Sequence, residues 1–271
     1  VRADSVYFQG AVADEEVRDE AAVAWALEQD GRSVCSEDGT TLVEPEGLPF
    51  PLAELPDVFT EFRRAVERDF RVAEPLSAPA RVPGAPGDVS SQEPDWAALA
   101  LDVMEPDARA VLPMRGGERA GLARLEAYVF EADALRHYKA TRNGLLAADD
   151  SSKLSSWLAL GCLSPRCVHQ AVQRYEAERV ANESTYWLIF ELLWRDYFQF
   201  LSMREGARLF KRSGVGRRVR SWSEDTAAFR AWTEGQTGYP FVDAFMRELA
   251  ATGFMSNRGR QNQAPFLTKE P

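Results

Sequence analysis

Apolar and polar positions along the chain shift between the two-residue period of a strand and the 3.6-residue period of a helix. "SVYF" (5–8) reads as a short strand. "DEEVRDEAAVAWALEQDG" (14–31) reads as an amphipathic helix, with acids in its first turns and Gly31 closing it. "RSVCSEDGTTLVEP" (32–45) predicts a strand, a turn at Asp38-Gly39 and a second strand. "PDVFTEFRRAVERDF" (56–70) predicts a helix with Pro56 in its first turn. Residues 74–95 then hold five prolines among small residues, a composition that buries no core and reads as an exposed linker. From Glu118 onward the helical period dominates, over about 118–140, 153–160, 165–180, 183–204, 225–233 and 238–253. The predicted fold class is mainly α. A large helical domain (114–271) follows a partial α/β segment (1–73) and a linker (74–113). No Gly-rich phosphate loop precedes the helix of the α/β part.

Composition narrows the chemistry. No apolar run reaches the length of a membrane span. With only His137 and His169, a structural zinc site or a Ser-His-Asp triad is disfavoured. Cys35, Cys162 and Cys167 have no CxxC spacing and read as buried thiols of a cytoplasmic protein. The net charge of −10 argues against a sequence-independent polyanion binder. Yet only four lysines occur, so nearly all positive charge is arginine. A salty cytoplasm and a GC-rich genome each produce such a bias. The stretch "RLFKRSGVGRRVR" (208–220) carries basic residues and no acid, a local cationic patch or a solvated loop.

Four stretches carry candidate chemistry. "STYWLIFELLWRDYFQF" (184–200) packs seven aromatics into seventeen residues, as a buried helix would. Glu191, Trp194 and Arg195 share one face of it, either as a structural ion pair or as a ligand-facing group. "ADDSSKLSSWLALGCLSPR" (148–166) opens a helix with Ser151, Ser152, Lys153 and Ser155. That is more than simple capping by Asp150 or Ser151 requires, and it is suited to holding phosphate. Ser164 and Pro165 start the next helix. "LRHYKATRNG" (135–144) sets Tyr138 and Arg142 one turn apart. "GFMSNRGRQN" (253–262) clusters Asn257, Arg258 and Arg260 just after a helix that Gly253 ends.

These stretches, in this order over about 114–267 and more loosely from residue 1, resemble the photolyase/cryptochrome family, and most of all its cryptochrome DASH branch. The resemblance implies an α/β antenna domain, a linker and a helical FAD-binding domain. It implies light-driven electron transfer from reduced FAD to cyclobutane pyrimidine dimers, mainly in single-stranded DNA, by a monomeric protein. A signalling flavoprotein of the same fold and a non-enzymatic nucleic-acid-binding remnant are the alternatives. The antenna pigment stays open, with the pterin methenyltetrahydrofolate as the candidate. By the same resemblance, Tyr138, Ser151, Ser152, Lys153, Leu154 and Ser155 hold the FAD phosphates and ribityl chain, and Arg195 contacts the flavin side. Arg142, Glu191, Trp194, Asn257, Arg258 and Arg260 face DNA. Glu191 and Trp194 meet the flipped pyrimidine pair. Trp222 matches the outermost tryptophan of the photoreduction chain.

The family continues by more than a hundred residues past "FLTKEP", and its opening strands precede Val1. The chain is therefore expected to be the middle of a longer protein. It would lack the Asp and Asn contacts to the isoalloxazine ring and the inner two tryptophans. Pro265 is expected to interrupt the final helix. An exposed core, poor solubility and weak or no flavin retention follow for the isolated chain. An absorbance spectrum taken after incubation with FAD and desalting checks this. A stoichiometric, vibronically structured flavin band would overturn it.

Overall fold

The computed structural model describes residues 3–81, 99, 107–216 and 221–269. Strands β1 (Ser5–Gln9) and β2 (Ser33–Glu37) pair in parallel, with Ser5 opposite Ser33 and Gln9 opposite Glu37. Helix α1 (Asp14–Gln29) makes the crossover that parallel pairing requires. It buries no residue of its own, and Trp25 and Val23 remain exposed. The second strand expected before Pro45 is absent. Residues 40–44 instead run as a loop, because the amides of Leu42 and Val43 are taken by a side chain rather than by a strand.

Helix α2 (Phe59–Val66) starts later than expected: Val58 is extended, and Pro56 lends its carbonyl to the Tyr197 hydroxyl. Most of the expected linker lies outside the described residues. The long helix expected over 118–140 is divided. Helix α3 (Glu118–Glu126) runs into a π-helical turn (Ala127–Glu131), then a 3₁₀ turn (Ala134–His137) and the short α4 (Tyr138–Thr141). The break falls at Asp133, which adopts a left-handed conformation at φ 51°. Its carboxylate gathers Arg136, Tyr175 and Arg179 at 2.5–2.9 Å, a reward that continuing the helix would forfeit.

Helices α5 (Ser155–Ala159), α6 (Pro165–Glu178) and α7 (Glu183–Glu205) complete the main layer. Ser164 caps α6 as expected. Asn182 and Thr185 form a reciprocal capping box on α7. The core gathers along α7. Phe59, Phe62 and Val66 of α2 join Leu188, Leu192, Tyr197 and Phe200 of α7 and Val168, Val172 and Tyr175 of α6 in one cluster. A smaller cluster of Phe245, Met246 and Met255 joins α8 (Thr226–Thr233), α9 (Pro240–Thr252) and α10 (Asn257–Lys269). Helix α10 continues through Pro265, contrary to expectation. A proline there removes one main-chain bond. The Gln263 side chain compensates by donating to the Val242 carbonyl and accepting from the Trp232 indole. The three cysteines are free and half-buried rather than buried.

One buried group ties the N-terminal segment to α7. The fully buried Asp196 carboxylate accepts the amides of Leu42 at 2.9 Å and Val43 at 3.1 Å. Burial pushes this carboxyl up to about 7, against the pull of the Val43 and Leu42 amides and of Arg195. An unfolded aspartate titrates near ~3.9. Folding therefore favours the protonated form. The stability this group adds is full below the unfolded value and is lost as pH rises through about 7. Asp196→Asn is expected to flatten that slope in urea midpoints measured across the window. Asp196→Ala, which strands two amides, is expected to cost about 2–4 kcal/mol. An unchanged slope in the Asn variant would refute this assignment.

Candidate functional site

Helix α7 offers one polar edge on an apolar rod. Glu191 and Arg142 form an ion pair at 2.5 Å, with side chains 29% and 24% exposed. Arg142 also lies over the Trp187 ring, which Lys139 approaches at 4.7 Å. Arg195, one turn on, turns its guanidinium to the carbonyls of Thr40 and Leu158. Burial draws its pKa down and Asp196 resists. Trp194 stacks on Phe59 with ring centroids 3.6 Å apart and on Phe198 at 5.5 Å, and it is only partly buried.

Residues 143–154 wrap a second wall. Helix α5 begins at Ser155, two residues later than predicted, with no side-chain cap on its N-terminus. Asp150 accepts the Ala147 amide instead of capping. Gly144 admits this turn, since a Cβ there would meet the Asp150 carboxylate at 2.3 Å. Lys153 adopts φ 54°, is buried, and donates to the Ala147 carbonyl at 2.8 Å. Burial lowers its pKa, and Asp150 partly restores it. Tyr138 is buried beside this wall. Desolvation raises its phenol well above the usual range, and Glu191 adds to the shift.

The third wall is the start of α10. Gly259 sits so close to α9 that a Cβ would fall 2.6 Å from the Phe245 ring. This contact holds Asn257 and Arg260 beside the loop. Arg260 is exposed and donates to the Met255 carbonyl at 3.3 Å. Arg258 donates to Asn143 at 2.7 Å.

Two cavities lie among these walls. One, of about 600 Å³, is lined by Tyr138, Ser152, Leu154, Ser155, Glu191, Arg195 and Asn257, with Val12, Leu158, Leu188, Leu192 and Phe198 among its neighbours. The other, of about 500 Å³, shares Tyr138, Ser152, Leu154, Ser155, Glu191 and Asn257 and adds Arg142, Ser151, Lys153 and Arg260. The structure thus brings together most of the residues singled out in the sequence. Trp194 and Arg258 line neither cavity, and Trp222 is 40% exposed on a separate segment before α8. The first cavity is mainly apolar. The second is rimmed by hydroxyls, a lysine and arginines. Together they fit a ligand with a planar apolar end and an anionic linker, which is the chemistry of FAD.

Sequence reasoning passed over Arg124. Its guanidinium donates to the carbonyls of Ser152 (2.9 Å), Ala148 (3.0 Å) and Ser151 (3.2 Å), and to the Asp149 carboxylate (2.8 Å). Nothing in its helical context sets it apart from the other arginines.

The Arg142–Glu191 pair keeps about a quarter of each side chain in water. Glu191→Gln is therefore expected to cost no more than about 1 kcal/mol in urea unfolding. A larger loss would make Glu191 a structural residue, and any functional defect of that variant would then have no bearing on ligand contact.

Comparison with known proteins gives this arrangement a lineage. Residues 1–81 match the DNA photolyase family model, and residues 187–270 match the model of the FAD binding domain of DNA photolyase. A cryptochrome DASH of Gloeobacter violaceus is 52% identical over 98% of this chain and 53% of its own length. One of Natronomonas pharaonis is 51% identical over 98% of this chain and 56% of its own. The crystal structure of a Synechocystis sp. cryptochrome superposes with a TM-score of 0.91 at 47% identity, covering 97% of this chain and 55% of that one. A bacterial class III photolyase from Agrobacterium tumefaciens gives a TM-score of 0.71 at 29% identity, covering 98% of this chain and 54% of that one. The chain spans about half the length of these relatives. By sequence, family match and fold, it belongs to the photolyase/cryptochrome family.

Proposed function

We propose that this chain forms part of a cryptochrome DASH-type flavoprotein that uses FAD and light to reverse cyclobutane pyrimidine dimers, chiefly in single-stranded DNA. The observation that carries the reading is the pair of adjoining cavities, one apolar and one cationic, lined by Tyr138, Ser152, Ser155, Glu191 and Asn257 in common. When bound, reduced FAD supplies the excited electron donor. The chain's own residues do the rest. Ser151, Ser152, Lys153 and Ser155 receive the diphosphate and ribityl chain, with Leu154 and Tyr138 closing the wall behind them. Arg195 reaches the flavin side of the apolar cavity while holding the Thr40 and Leu158 carbonyls.

At the mouth, Glu191 offers a carboxylate to the polar edge of an extruded base pair, and Arg142 holds that carboxylate in place from 2.5 Å. Trp194 presents to the lesion the part of its ring that Phe59 and Phe198 leave open. Asn257, Arg258 and Arg260 meet the phosphates on either side. Trp222 serves as the solvent-side end of a photoreduction chain.

Blue-light illumination of a thymine-dimer single-stranded oligonucleotide, with this chain and excess reduced FAD, tests the reading. Loss of the dimer in the light but not in darkness is expected. Arg260→Ala is expected to reduce the salt dependence of single-strand binding by about 0.7 in log–log slope, as for one phosphate contact. DNA binding that is unaffected by this change, together with no light-dependent loss of the dimer, would overturn the reading.

A further inference from the structure

The loop that bears Ser151 and Ser152 is built inside out. Four of its carbonyls point inward to two cations. Ala147 accepts from Lys153 at 2.8 Å. Ala148, Ser151 and Ser152 accept from Arg124 at 2.9–3.2 Å. The Arg124 side chain is only 10% exposed, lies over the Tyr128 ring at 5.1 Å, and is held at its far nitrogen by Asp149. A peptide unit that turns its carbonyl inward turns its N–H the other way. The inward carbonyls of Ser151 and Ser152 thus send the amides of Ser152 and Lys153 outward, and among the described residues these two, like the amide of Ser151, have no protein acceptor. Ser151, Ser152 and Lys153 also line the cationic cavity, whereas Arg124 does not.

We propose that Arg124 is the positioning residue of this cavity: it gathers the carbonyls of residues 148, 151 and 152 so that the loop's amides and hydroxyls face an anionic diphosphate. The proposal rests on the reading of the cavity as a flavin-dinucleotide site. Arg124 touches no ligand and acts through the loop. Three carbonyls in different directions suit a planar five-donor fork, which a lysine cannot reproduce. Fixing the loop before binding removes an ordering cost from the ligand's affinity.

Fluorescence titration of FAD and of riboflavin, which lacks the phosphates, separates the roles. Arg124→Met is expected to weaken FAD binding about tenfold, equivalent to about 1.4 kcal/mol, while riboflavin binding stays within about twofold of the unaltered chain. Arg124→Lys is expected to fall between them. Hydrogen exchange is expected to quicken at the amides of 148–153 and to stay unchanged in α6 and α7, which guards against a variant that simply unfolds. Equal loss of both ligands, or an unchanged FAD affinity in Arg124→Met, would overturn the proposal while leaving the flavin site standing. An unaltered chain that binds FAD no better than riboflavin would overturn the diphosphate reading of the cavity and the proposal with it.

Discussion

Two backbone amides seated on one buried carboxylate join the N-terminal segment to the helical layer. Asp196 has no exposed surface, and desolvation alone would make its charge costly. The Leu42 and Val43 amides offset that cost and in doing so fix where residues 40–44 lie. Everything beyond follows from that seat. Thr40 is brought within reach of Arg195 and Gln199, Glu44 within reach of Arg166, and α2 is laid along α7 with Phe59 and Phe62 in the shared core. The apolar cavity is bounded by the same helix, one turn away.

Legibility in the sequence followed the range of the interaction. α1, α6, α7 and α9 were readable because their end signals and apolar periods lie within or beside the elements themselves, as at Ser164 and Gly253. What was misread depends on partners far along the chain. The second strand expected between the Asp38-Gly39 turn and Pro45 fails because Asp196, more than 150 residues on, takes the amides of Leu42 and Val43. The helix expected through Asp133 fails because Tyr175 and Arg179 compete for its carboxylate. Pro265 is tolerated because Gln263 is anchored on α9 and α8. Most of the candidate site was legible through the family resemblance of its motifs. Arg124 was not, because its three acceptors are main-chain carbonyls, which carry no residue-type signature.

The arginine-rich, lysine-poor composition gains a structural meaning here. Arg124, Arg195 and Arg204 all spend donors on backbone carbonyls at places where the chain has no regular partner. A guanidinium serves two or three such acceptors in one plane and stays charged when half-buried. Residues 40–44, 55–57 and 147–152 lie outside helix and strand and are held in part by these forks. The net acidity of the chain therefore coexists with a local, inward-directed positive scaffold.

Helix α7 carries Glu191, Arg195, Asp196 and Gln199 within nine residues; Glu191 reaches Arg142, while the other three reach residues 40–43. A helix turns about 100° per residue. One residue inserted or removed in this stretch would swing the charged edge into the core and the core edge into the cavity at the same moment. The spacing between the ion-paired Glu191 and the buried Asp196 is thus as binding a constraint on α7 as the identity of either side chain.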